Sequence, residues 1–349
     1  MRVLEASGSP TAIGRAHGEA FGQDIRSYMH DRRELSLLGT SLSAAEVTQI
    51  AEDMLDAHRD YDLDLFDEMV AMAQAANISP AEAIIVGGYT DFIDTVRAVA
   101  DGEAMEDTCT ATITPDALSH GSGFLAQTWD MHASATPHVF MFDVHPDGAP
   151  RALAFTTHGT VGQIGMNEAG IAIGINNLTM LDGGVGVTWP FVVRKVLRQT
   201  TFDEAFACIV DANLAGGHNF LLRDDQGKGV SVEATTTQTA VNELGNTPLV
   251  HTNHCVFANT KAVEAPRPAG LNANSLKRMS DATRLLGNSG THTADSLMTL
   301  LRDENSICRH PEPPLNHESS GAVIMRPGTR DMWAAWGIPS EADFEHFDV

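Results

Sequence analysis

Basic residues are scarce in this chain. Lysine and arginine number 22 against 46 aspartates and glutamates among 349 residues, a formal charge of −24. Such a surface repels phosphate backbones and anionic lipid, which argues against nucleic-acid and membrane partners. Cysteine is scarcer still. Cys109, Cys208, Cys255 and Cys308 lie far apart, with no CxxC spacing, which disfavours a zinc ribbon or a disulfide scaffold and points to a reducing compartment. No apolar run approaches membrane-spanning length, and Met1-Arg2-Val3-Leu4-Glu5 does not open a signal peptide, so the expected location is cytoplasmic. There is no low-complexity tract and no repeat of solenoid period. No glycine-rich phosphate loop opens a helix, and Gly121-Ser122-Gly123 lacks the spacing of a serine-hydrolase elbow.

What is present changes character at residue 109. Before it the chain reads mostly as helices. Ser9-Pro10-Thr11 opens a helical pattern running towards His30. Ser43-Ala44-Ala45-Glu46 is a capping box predicting a helix to about His58, and Ser79-Pro80-Ala81-Glu82 repeats the device with proline at the first helical position. Leu63, Leu65, Phe66, Met69, Val70 and Met72 fit a helix packed on something larger. Residues 97–108 carry a glycine, four acids and little periodicity, as an exposed linker does.

Strands follow. Thr110, Thr112 and Thr114 alternate with Ala111, Ile113 and Pro115, which predicts a half-buried strand headed by Cys109. Further strands are expected over residues 124–131, 139–144 and 152–157, with a hairpin over 161–166 and 170–176. Helices near 190–198 and 203–212 precede strands at 218–223, 229–234, 239–243 and 248–252. Helical patterns at 275–286 and 294–302 lead to a closing hairpin, 322–325 with 332–336. Two blocks of antiparallel strands with helices between them predict a layered α+β sandwich.

Fifteen histidines invite a metal site. His251 and His254, however, stand at what reads as a strand end, where the two rings would point to opposite faces. His310 and His317 flank a proline-rich loop without a carboxylate at ligand spacing. Neither a metal nor a cofactor is therefore expected. Trp129-Asp130, Ile175-Asn176-Asn177, His251-Thr252-Asn253 and Cys308-Arg309 each place a polar side chain after an apolar run, where oxyanion donors and orienting carboxylates are mounted. Asn and Asp also terminate strands for purely structural reasons, and a buried cysteine is often only a small hydrophobe.

Taken together, Cys109-Thr110, Gln127-Thr128-Trp129-Asp130, Gly165-Met166-Asn167-Glu168-Ala169-Gly170, Val250-His251-Thr252-Asn253-His254-Cys255 and Ser306-Ile307-Cys308-Arg309 occur in an order and at spacings that resemble the isopenicillin N acyltransferase family of self-processing N-terminal-nucleophile (Ntn) hydrolases. Residues 8–18, Gly-Ser-Pro-Thr-Ala-Ile-Gly-Arg-Ala-His-Gly, are similar to that family's start. The resemblance spans nearly the whole chain. It implies an αββα four-layer sandwich of two antiparallel sheets between helical layers. It also implies a precursor that cuts itself between Thr108 and Cys109, leaving residues 1–108 as a helical α chain and 109–349 as the β chain of one domain.

By that resemblance Cys109 is the nucleophile, with its own α-amine as base. An α-amine titrates near ~7.7–8.0 and a thiol near about 8.5, so the pair needs only modest activation. Asp130 would orient or tune the amine, Asn253 would donate to the oxyanion, and Arg309 would hold the acid or a substrate carboxylate. Asn176 is similar in position to an asparagine of related bile-salt hydrolases. One departure is Thr108, where family precursors often have glycine; a β-branched residue narrows the backbone options at the cut. The function expected is hydrolysis of a small linear amide through a Cys109 thioester. The alternatives are acyl transfer from a thioester or amide donor to an amine, or a non-catalytic binding protein on the same scaffold. The expected partners are a small-molecule amide and the two chains of one precursor, with a homo-oligomer left open.

Overall fold

The computed structural model describes residues 1–100, 108–288, 290–313 and 316–349. Among them the chain forms β1 (Val3–Gly8), then helices α1 (Pro10–Leu37), α2 (Ala44–Asp53), α3 (Leu55–Tyr61), α4 (Leu63–Ala76), α5 (Pro80–Gly87) and α6 (Tyr89–Val99). Strands β2 (Thr108–Ile113), β3 (Leu125–His132), β4 (Val139–Pro146), β5 (Ala152–Thr157), β6 (Ile164–Asn167) and β7 (Ala172–Leu178) follow. Next come α7 (Trp189–Val196), α8 (Phe202–Val210), β8 (Gly217–Arg223), β9 (Gly229–Ala234), β10 (Thr239–Glu243) and β11 (Leu249–His251). The chain closes with α9 (Ala258–Lys261), α10 (Ala269–Asn288), α11 (Ala294–Leu301), β12 (His317–Arg326), β13 (Asp331–Trp336) and β14 (Glu345–Asp348).

Local signals set the helix ends. Ser43 with Glu46 and Ser79 with Glu82 form reciprocal capping boxes, and Ser9 caps α1 ahead of Pro10. Gly14 and Gly18 let α1 lie directly on the backbone of α4 at Glu68 and Met72. His17, between them, accepts the Gly159 N–H at 3.1 Å. These contacts give the stretch 8–18 its structural content.

An eight-stranded sheet runs β1-β4-β5-β6-β7-β8-β9-β10, and a six-stranded sheet runs β11-β2-β3-β12-β13-β14. Helices α1, α7 and α8 pack on the first sheet, while α10 and α11 pack on the second; β2 and β3 meet β7 and β8 between them. The layers are therefore helix, sheet, sheet, helix, as expected. Three expectations need correction. The first third is not purely helical, because β1 pairs in parallel with β4 at the sheet edge, against otherwise antiparallel ladders. Only Ala6 of β1 is buried, so no apolar alternation marked it. The strand headed by Cys109 is buried on both faces rather than one, since the other sheet covers one side and α10 the other. Of the residues read as a linker, 97–99 end α6 and Thr108 opens β2 in full burial. Residues 101–107 lie outside the described residues.

Gln127 is one of the side chains that tie the two sheets. The register of β6 with β7 ends at Ala172 and Ile173, and beyond that point Gln127 of β3 takes the missing neighbour's place. Its Oε1 accepts the Ile175 N–H at 2.8 Å, and its Nε2 donates to the Ile175 carbonyl at 3.1 Å. Gly174 makes the approach possible, because a Cβ there would collide with Gln127 Oε1. Among the described residues no single helix is long and apolar enough to cross a membrane.

Candidate active site around Cys109

Side chains alternate across β2, so the register with β3 sorts them by face. Cys109, Ala111 and Ile113 stand opposite Trp129, Gln127 and Leu125, on the side facing β7. Thr108 and Thr110 stand opposite Asp130 and Thr128, on the side facing α10. The Cys109 side chain thus points into the layer between the sheets, while its backbone is addressed from elsewhere. The residue is 1% exposed.

Asn253 meets that backbone. It follows β11, which pairs antiparallel with β2. Its Oδ1 accepts the Cys109 N–H at 2.7 Å and a second bond from Arg278 Nη2 at 3.0 Å. Two donors on one atom fix which end of the amide is oxygen. The Nδ2 end donates to the Asn177 carbonyl at 3.1 Å, so the end of β7 is held against β2.

Asp130 is fully buried and accepts a 2.7 Å bond from Ser319 Oγ. Burial pushes its carboxyl up. Arg278, the Ser319 bond, Arg309 and Thr128 pull in the opposite direction without cancelling it. Arg309 lies beside it, donating its backbone N–H to the same Ser319 hydroxyl and its Nη1 to Asn274 Oδ1 at 3.2 Å. Asn176 faces the inter-sheet layer but bonds within its own sheet, accepting from Asn219 Nδ2 at 3.1 Å. Cys109, Asp130, Asn253 and Arg309 are brought into one network, and Asn176 stands apart from it.

The expectation that His251 and His254 face apart is wrong. The chain leaves the strand after His251, and the two rings lie 6.5 Å apart at 21°. Both His251 nitrogens are engaged, with Glu233 Oε1 (2.9 Å) and the Thr252 carbonyl, and His254 Nδ1 meets Ser275 Oγ (2.8 Å). Burial, then the nearby His251 and Arg267, push His254 down to about 4. Glu233 also accepts the Val256 N–H at 2.6 Å and the Thr260 hydroxyl, which clamps the segment on both sides of Asn253. Asp331, His346 and Asp348 form a cluster with metal-like spacing, but it sits on the partly exposed outer strands β13 and β14 and shares no residue with this site.

Sequence reasoning missed Arg278, Ser319, Ser275 and Glu233. Arg278 sits in a helix whose apolar pattern is ordinary, and nothing in its spacing marks it. The wholly buried guanidinium reaches the Cys109 carbonyl, Thr110 Oγ1 (3.1 Å), Asn253 Oδ1 and Asn274 Oδ1 (2.8 Å).

The layer order, with a cysteine near the head of an inner strand, defines the class: an α+β sandwich of the Ntn-hydrolase kind. The chain belongs to the acyl-coenzyme A:6-aminopenicillanic acid acyl-transferase family, whose model matches residues 118–339. That span takes in Asp130, Asn176, Asn253 and Arg309 but begins after Cys109. The chain is 24% identical over 319 residues to the acyl-coenzyme A:6-aminopenicillanic-acid-acyltransferase 40 kDa form of Emericella nidulans, covering 88% of this chain and 85% of that one. Among solved structures, a mutant of the conjugated bile acid hydrolase from Clostridium perfringens is similar at a TM-score of 0.45 and 12% identity, over 70% of this chain and 97% of that one. Penicillin V acylase from Agrobacterium tumefaciens is similar at 0.44 and 13%, over 69% and 86%. The protein is an enzyme, of the broad amidohydrolase or acyltransferase kind.

Proposed function

We propose that this protein is a cysteine amidohydrolase that activates itself by cutting between Thr108 and Cys109. The observation that carries this reading is the grip on the Cys109 main chain: Asn253 on its N–H, Arg278 on its carbonyl, and Asp130 beside them. A cysteine of purely structural use needs no such grip, since a buried strand amide is ordinarily satisfied by its ladder. In the cut, Cys109 Sγ attacks the Thr108 carbonyl carbon, and the Thr108–Cys109 C–N bond breaks as its nitrogen takes a proton. Water then hydrolyses the resulting thioester, leaving a Thr108 carboxylate and the Cys109 α-amine.

In turnover that amine takes the thiol proton, and Sγ adds to the substrate amide carbon. The tetrahedral oxyanion is stabilised by Asn253, and collapse expels the amine product with the proton returned to it. Water hydrolyses the Cys109 thioester and releases the acid. The engagement of both His251 nitrogens and of His254 Nδ1 supports the amine over an imidazole as base. The substrate in this reading is a small linear amide. Acyl transfer from a thioester or amide donor to an amine is the second reading, favoured by the name of the Emericella nidulans relative. The two share every step up to the thioester and differ in what attacks it.

Intact-mass measurement of freshly folded protein tests the reading, together with turnover of a panel of small linear amides. Wild type is expected as two chains with hydrolytic activity, and Cys109→Ala as one inactive chain. A fully active wild type that stays in one piece refutes it, because a nitrogen locked in a peptide bond is no base. Stable single chains without activity would leave a binding scaffold.

A further inference from the structure

We propose that Arg278 is a positioning residue of this reaction, which fixes the Asn253 amide and keeps the Cys109 α-amine in its neutral, basic form at the working pH. The inference rests on the reading above that this amine is the base. Arg278 is wholly buried on α10, on the same helical face as Ser275, one turn earlier. Together they dock the helix on the turn that carries Asn253. Ser275 Oγ accepts the Asn253 N–H at 3.0 Å, while Arg278 Nη2 donates to Asn253 Oδ1 at 3.0 Å. With Oδ1 held by that cation, the amide cannot turn over, and its N–H₂ end stays on the side of the Asn177 carbonyl and the reacting carbon.

The charge has a second effect. Arg278 Nη2 is two hydrogen bonds from the Cys109 nitrogen, through Asn253 Oδ1, and its Nη1 bonds the Cys109 carbonyl. A fixed cation at such range disfavours an ammonium and lowers the amine's affinity for a proton. Among the described residues, the other charged and titratable groups around this backbone come from every neighbouring element. They are Asp130 from β3, Arg309 after α11, His251 and His254 from β11 and its turn, and Glu233 from β9, with Arg267 beside Glu264 farther out. Asp130 acts in the opposite sense to Arg278, and burial already weakens its hold on a negative charge. His251 is matched by Glu233 at 2.9 Å. Arg278 is the cation that grips the Cys109 main chain directly, so it sets the balance.

The test measures kcat/KM and kcat against pH for wild type, R278K and R278M, with processing of each followed by intact mass. R278M is expected to move the ascending limb of kcat/KM upward by about one pH unit, with a lower kcat. R278K keeps the charge but loses the fork, so its limb is expected where the wild type has it, while kcat falls about tenfold or more. A merely structural role would lower both variants without moving the limb of either, and that result overturns the proposal. Equal displacement in the two variants overturns it as well. Should R278M fail to fold, R278K decides alone: a limb displaced upward refutes the charge effect, and an undiminished kcat refutes the positioning. Failure of the underlying reading looks different, as an uncut but active wild type, or an ascending limb that vanishes when His251 or His254 is replaced.

Discussion

Replacing Gln127 by leucine tests how the sandwich is held closed at the site. Gln127 is wholly buried and gives the Ile175 backbone its two partners on the side where β6 has ended. Leucine has similar bulk and no polar atoms, so the Ile175 N–H and C=O are left buried and unpaired. Each such group costs about 1–3 kcal/mol. The added apolar burial returns about 1–2 kcal/mol, so a net loss of about 1–4 kcal/mol is expected, against total stabilities of about 5–15 kcal/mol. Urea unfolding in a Cys109→Ala background keeps every sample in one piece and reads the difference directly. Gly174→Ala supplies a coupled test, since its Cβ would collide with Gln127 Oε1 and lie 2.9 Å from Leu125 Cδ2. With Gln127 shortened to alanine, the Gly174→Ala change is expected to cost less than it does alone, because the clashing oxygen is gone. A loss below about 1 kcal/mol for Gln127→Leu, or strict additivity in the cycle, refutes the role assigned to this side chain.

Asn253→Ala is expected to lower kcat by about 10²–10³ with a small change in KM, as for any donor used only in the transition state; steady-state kinetics showing an effect confined to KM would make it a ground-state contact. Asp130→Asn removes the carboxylate that favours an ammonium on Cys109, so the ascending limb of kcat/KM is expected at lower pH, opposite in sign to R278M. A pH profile with an unmoved limb would count against Asp130 acting on the amine. His17 accepts the Gly159 N–H through Nε2, and burial holds its pKa down to about 3. In the unfolded chain it titrates near 6.5, so its contribution is complete above that pH and is lost as pH falls towards 3. Relative to His17→Gln, which stays neutral, wild type is expected to lose about 2–3 kcal/mol between pH 7 and 4.5 in denaturant titrations; parallel pH profiles would refute the linkage.

What was legible in the sequence was what is local. The capping boxes at Ser43 and Ser79 and the hairpin of β12 with β13 follow from neighbours a few residues apart, and each stands where expected. The candidate asparagine and acid were picked out by motif order, and Asn253 and Asp130 both lie against β2. Long-range partners were not legible. Arg278 lies 169 residues from the Cys109 carbonyl it reaches, and nothing within its helix demands an arginine. Glu233 and His251 come from different sheets, and β1 finds its ladder on the distant β4. The facing of the two histidine rings was misread because a period of two was carried one step past the end of β11.

The position of β2 in its sheet also sets a schedule. It lies between β11 and β3, and β12 lies beyond β3. The groups that grip the Cys109 main chain come from residues 253 and 278, and those set around Asp130 from residues 309 and 319, far downstream. During synthesis the cysteine emerges long before any of them. At about 5–20 residues per second, roughly 10–40 s separates residue 109 from residue 319. Through that interval the nascent chain carries Cys109 without the residues that hold its backbone. Under the proposed self-cleavage, a cut at that stage would detach the helical layer from a sheet not yet built to receive it. On the proposed mechanism, the interleaved strand order would withhold the cut until nearly the whole chain is in place.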